Sequence, residues 1–176
     1  MTFKQNIYRY ITGEVDLREI PAFAFNALEN GMDSPSLRIL AGLSGEENTY
    51  QIETYLRDTM KELEVEMVSK REAAIQVGLA YAEKIFERKK TIFGGAQCIK
   101  WYMLDVYPFS EETKEFLYDS IGFSRAYGLF VTLDDLHDSG STQWQSERTN
   151  MQIESDLNDE LFLELRKWSE EMKNRS

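Results

Sequence analysis

Start and stop signals for helices recur from one end of this 176-residue chain to the other, while the apolar/polar alternation that a half-buried strand needs is scarce. Phe3, Ile7, Tyr8 and Ile11 follow helical spacing up to Gly13. Pro21 suits the first turn of a helix ending near Asn30, with Gly31 placed to terminate it. Ser34 ahead of Pro35 predicts another N-terminus, with Leu37, Leu40 and Leu43 on one face. Ser44 with Glu47, and Ser69 with Glu72, have the S-x-x-E spacing of capping boxes, and the second is expected to open a helix running to about Lys90. Thr91 to Gly95 reads as a break, followed by a helix that buries Ile99, Trp101 and Tyr102 and stops at Pro108. Ser110 and the acidic pair Glu111 and Glu112 predict a long helix through Phe116, Leu117, Ile121, Phe123, Tyr127 and Phe130 to Leu133, bent near Gly122 or Gly128, with a strand over 129–133 as the alternative. Ile153, Leu157, Leu161, Leu163, Leu165 and Trp168 mark the last helix. The expected fold is an all-α, irregular bundle of about seven or eight helices. Residues 1–176 are expected as a single domain, with 1–68 a candidate N-terminal subdomain of shorter helices.

Composition narrows the chemistry. With 42% apolar and 12% aromatic residues the chain can bury a core, unlike a disordered acidic tail. One histidine and one cysteine exclude a Cys₂His₂ or His₃ zinc site and a CxxC redox pair within one chain. Cys98, among Ile99, Trp101 and Tyr102, reads as a small buried hydrophobe of a reducing compartment. No apolar run reaches the roughly 18 residues of a membrane span and the N-terminus lacks a signal-peptide core, so a cytoplasmic setting is expected. The formal charge of −11 disfavours nucleic acid and anionic membranes and favours a basic protein partner, steered by long-range attraction.

His137 with Asp134 and Asp138 has the i, i+3, i+4 spacing that could place three metal ligands on one helical face. The same residues also make an ordinary solvated helix end. Asp105 and Glu83 are carboxylates in apolar company, read first as polar-face residues or partners of an arginine such as Arg125. Phe93-Gly94-Gly95-Ala96 lacks the pattern of a phosphate loop and reads as a tight turn or a close helix approach. Lys84, Arg88, Lys89 and Lys90 complement a helix C-terminus. Two acidic tracts stand out, one from Glu46 to Glu66 and one from Glu154 to Glu171. Within the first, Glu46, Glu47, Glu53, Asp58 and Glu62 are the candidate partner-binding residues, together with Trp144, an indole in a polar loop that either folds back or anchors a contact.

Gly95-Ala96 followed by Ile99, Trp101 and Tyr102, then Leu129 to Leu133 running into Asp134 and Asp135, then the acidic final helix with Ile153, Asp156 and Leu157, resembles short uncharacterised bacterial proteins of the domain-of-unknown-function kind. The resemblance spans less than half of the chain and implies a bacterial cytosolic setting. Small acidic proteins of this type look like the immunity proteins that accompany secreted toxins. The expected function is a non-enzymatic acidic helical protein that binds and inhibits a basic protein partner, as an immunity protein or antitoxin does, with no cofactor. The alternative is a metal-dependent helical enzyme centred on Asp134, His137 and Asp138.

Overall fold

A computed structural model describes residues 1–44, 49–112, 116–139 and 149–175. The fold is all-α: among the described residues there are eight α-helices and no strand. They are α1 (Phe3–Ile11), α2 (Ile20–Glu29), α3 (Pro35–Gly42), α4 (Thr49–Glu62), α5 (Lys70–Phe86), α6 (Ile92–Ile99), α7 (Ser124–Ser139) and α8 (Asn150–Arg175). The chain divides into two compact units, Met1–Val77 and Gly78–Ser176.

In the first unit, α1, α3, α5 and the short turn ahead of α2 start where a short polar side chain accepts an orphan backbone N–H. Thr2 caps α1 in a reciprocal box with Gln5, and Asp16 does the same with Glu19 ahead of α2. Ser34 accepts from the Leu37 N–H at 3.2 Å, and Ser69 accepts from the Glu72 N–H at 3.1 Å to open α5. The inward faces of α1 to α4 meet in a core that includes Ile7, Ile20, Leu37, Leu40, Ile52 and Met60. Gly31, at φ +86°, ends α2 in the left-handed conformation that only glycine adopts without penalty.

The second unit is centred on Trp168 of α8, which is 2% exposed. Its indole N–H donates to the Ile121 carbonyl at 3.0 Å, and its ring meets Phe123 edge-to-face at 4.9 Å. Phe130, Leu133, Leu161 and Leu165 complete the core of the α7–α8 pair. Arg125 reaches Glu164 at 3.0 Å near one end of that pair and His137 reaches Glu154 at 3.0 Å near the other, so the two helices run antiparallel.

At several places the local structure departs from the expectation. α5 stops at Phe86 instead of Lys90, because Arg88 turns left-handed at φ +57° and the chain closes with a Lys89 N–H bond to the Lys84 carbonyl. There is no break from Thr91 to Gly95: the Thr91 hydroxyl accepts from the Gly94 N–H and caps α6, so both glycines are helical. Among the described residues, the long helix expected from Ser110 does not form. Short 3₁₀ turns at Phe109–Glu111 and Asp119–Ile121 stand there instead, with Tyr118 and Gly122 both left-handed, and α7 begins only at Ser124. The strand alternative over 129–133 is overturned by α7 itself. Finally Trp101, expected in the core, is 48% exposed, and Leu163 is 63% exposed. Each lies two residues from a buried position on the same helical stretch, Ile99 and Leu161, and a two-residue step carries a side chain to the opposite side of a helix. Past α6 the helix continues as a π-turn, Lys100–Leu104.

Candidate functional site

A concave surface rich in charged side chains lies on the first unit. It is a groove of about 590 Å³ lined by Lys4 and Tyr8 of α1, Met60 and Lys61 of α4, Glu64, Val65, Glu66 and Val68 of the following segment, and Glu72 of α5. The segment takes its course from the end of α4. Glu64 stands left-handed at φ +53°, and the Val65 N–H returns to the Met60 carbonyl at 2.8 Å, satisfying a carbonyl that the helix end would leave open. The turn sends Val65 and Val68 against the groove and leaves Glu64 and Glu66 exposed at its edge. Met60 and Tyr8 are buried beneath. Among the described residues none of Glu64, Glu66 and Glu72 makes an ion pair. The amines of Lys4 and Lys61 come from the two helices and the carboxylates from the segment and α5, so the groove is bipolar. Its lining holds no imidazole and no thiol.

The sequence-derived partner residues fall into three groups. Glu53 and Asp58 are exposed on α4, but Arg57 and Lys61 alternate with them, so the outer face of this helix is of mixed charge. Glu62 has a different role. Its carboxylate accepts from the Ser36 N–H at 2.9 Å and from the Ser36 hydroxyl at 2.7 Å, closing the first turn of α3 from 26 residues away. Glu46, Glu47 and Trp144 lie outside the described residues.

The Ser36 hydroxyl, and after it the Ser36 N–H, hold the Glu62 carboxyl below the ordinary glutamate value. A depressed folded-state pKa means that the contact stabilises the fold above the unfolded glutamate value and is lost as pH falls through the folded one. A carboxyl-carbon NMR titration is expected to give Glu62 a midpoint below that of a free glutamate, and Ser36→Ala should raise it. A Glu62 midpoint that ignores Ser36→Ala would remove this cap from the fold.

Asp134, His137 and Asp138 do share α7, but the structure does not gather them as a ligand set. Among the described residues no three His, Cys, Asp or Glu side chains converge to hold a metal. The His137 ring lies instead edge-on to Phe93 at 4.4 Å, with Nε2 at 3.0 Å from Glu154. Spacing along one helix brings the three residues to one side, but successive side chains diverge from the axis, and the carboxylate that the facing helix supplies, Glu154, engages the His137 ring. The second acidic tract follows the α8 dipole: from Asn150 to Leu165 there are five carboxylates and no lysine or arginine, and from Arg166 to Arg175 four cations against two carboxylates.

The remaining candidates have structural partners. Asp105 pairs with Lys100 at 2.7 Å and Glu83 with Lys173 at 3.0 Å, not with an arginine. Arg125 is held by Glu160 and Glu164 of α8. Cys98 is buried. Gly95 marks a close helix approach: a Cβ there would stand 2.3 Å from Ile85 Cγ1.

Glu64 and Glu66 were visible in the sequence only as members of an acidic tract, and Glu72 only as the far end of a capping box. Nothing in the sequence joins them to Tyr8, because the groove is assembled from segments more than 50 residues apart. No helix among the described residues is long and apolar enough to cross a membrane. No protein-family model, curated protein or solved structure matches this chain.

Proposed function

We propose that this chain is a non-enzymatic binding protein that covers, and thereby inhibits, a basic protein partner, in the manner of an immunity protein or antitoxin. The observation that carries the reading is the groove on Met1–Val77, where Glu64, Glu66 and Glu72 edge an apolar floor without ion-pair partners among the described residues. A lysine or arginine of the partner fits both parts, its aliphatic stem lying on Val65 and Val68 and its charged head meeting the carboxylates. Lys4 and Lys61 on the helical side fix the polarity with which a segment enters. The net charge of −11 supplies long-range steering, which raises association rates by roughly 10- to 1000-fold and weakens as salt rises.

Affinity purification from the native host, in low and in high salt, tests the reading. A basic partner retained in low salt and lost in high salt is expected. With that partner in hand, Glu64→Lys combined with Glu66→Lys should slow association by about tenfold or more. Glu170→Lys, an exposed change on α8, should have little effect. An acidic partner, or an association rate untouched by the groove reversal, would refute the proposal.

A further inference from the structure

We infer that the second unit carries a self-complementary surface, on which the cationic turn between α5 and α6 of one copy docks on the acidic end of the α7–α8 pair of a second copy, and the reverse. The inference stands apart from the partner-binding groove, which lies on the first unit.

Internal pairing leaves charges of both signs over on this unit. In the stretch from Glu83 to Asp105 each carboxylate is taken by a lysine: Glu83 by Lys173, Glu87 by Lys89 at 2.7 Å, and Asp105 by Lys100. Arg88 and Lys90 are both exposed and have no carboxylate partner among the described residues. The ammonium of Lys90 lies 5.8 Å from the centre of the Tyr81 ring. Arg88 holds the left-handed backbone that glycine adopts more easily, so the position keeps a guanidinium where the turn itself would prefer none. On the acidic side, His137 takes Glu154 and Arg125 takes Glu160 and Glu164. Asp138 and Asp159 remain exposed and make no ion pair among the described residues.

These two sets are neighbours. Phe86, two residues before Arg88, meets Phe162 of α8 edge-to-face at 5.5 Å. Phe93, three residues after Lys90, stacks on Phe130 at 5.5 Å and touches the His137 ring. The cationic turn is therefore pinned at both ends against α7 and α8, beside the acidic end, yet no bridge joins Arg88 or Lys90 to Asp138 or Asp159. A surface with positive and negative groups side by side becomes complementary to itself under a two-fold rotation, because each sign then meets the other twice. Leu163 stands one helical turn from Asp159 on the same stripe of α8 and is 63% exposed, which supplies apolar area to such a contact. Two chains of charge −11 repel at long range, but at physiological salt that repulsion is screened beyond about 8 Å while contacting pairs are not.

The test is the mass of the full chain by sedimentation equilibrium at physiological salt. The wild-type chain is expected to reach twice its single-chain mass as concentration rises. Arg88→Glu with Lys90→Glu makes the surface uniformly acidic, and Asp138→Lys with Asp159→Lys makes it mostly basic, so each variant alone should stay at single-chain mass. Mixed in equal amounts, the two should again reach the doubled mass. Circular dichroism establishes that each variant keeps its helices; should one unfold, the milder Arg88→Gln and Asp159→Asn are each expected to weaken self-association by about tenfold. A wild-type chain that stays at single-chain mass overturns the inference. So does a variant pair that fails to associate on mixing, or self-association indifferent to all of these changes.

Discussion

Trp168→Ala is expected to lower stability by about 3–5 kcal/mol in urea denaturation. Three losses combine. The indole is 2% exposed, so its removal leaves a cavity among Phe123, Met103 and Ile121, all of them buried. The edge-to-face contact with Phe123 disappears. The Ile121 carbonyl loses the 3.0 Å bond from the indole N–H at a point where two left-handed residues, Tyr118 and Gly122, leave the local backbone few alternatives. Trp168→Phe should recover part of the packing but not the hydrogen bond, and fall between. Trp101→Ala, at a half-exposed ring, should cost less than about 1 kcal/mol. If the two alanine variants proved equally stable, the core of the second unit would not be organised around Trp168.

A second large effect is expected where α5 and α6 meet, at Gly95 and Ile85. In an isolated helix, alanine would be favoured over glycine by about 1 kcal/mol. Here the added methyl would stand 2.3 Å from Cγ1 and 2.5 Å from Cδ1 of Ile85, a side chain that is 2% exposed and has nowhere to withdraw. Overpacking of this kind costs about 1–3 kcal/mol, so Gly95→Ala should destabilise by about 2 kcal/mol despite its better helix propensity. The cause can be isolated by a double-mutant cycle. Ile85→Ala alone should cost about 2–5 kcal/mol for the cavity it opens. Combined with Gly95→Ala, the total should fall short of the sum by 1 kcal/mol or more, about the size of coupling seen between touching residues. Strict additivity would mean that α5 and α6 do not meet at this pair.

Much of the helical order was legible because it is local. Ser34 and Ser69 cap the helices their spacing announced, and Gly31 ends the one before. Thr149, which exchanges bonds with Gln152 at the start of α8, and Thr2 with Gln5 form the same box with glutamine in place of glutamate, a weaker sequence signal. Sequence and structure part where apolar content and helical period disagree. Trp101 and Leu163 are apolar but out of phase with Ile99, Leu161 and Leu165, and phase decides which side of a helix is buried. Phe116 and Leu117 are apolar at helical spacing, but the left-handed Tyr118 and Gly122 do not permit a helix there. The candidate site was the least legible part. Glu62 looks like its acidic neighbours Asp58 and Glu64 until Ser36, distant in sequence, is placed beside it.

The placement of the tryptophans gives the molecule an unequal optical signature. Trp101, Trp144 and Trp168 all belong to Gly78–Ser176, and Met1–Val77 contains tyrosines but no tryptophan. Emission excited at the red edge of the absorption band therefore reports on the second unit alone, while far-ultraviolet dichroism counts helices in both. Superimposable denaturation curves from the two signals would mean that the boundary inside α5 is invisible to unfolding, and curves that separate would time the loss of one unit against the other.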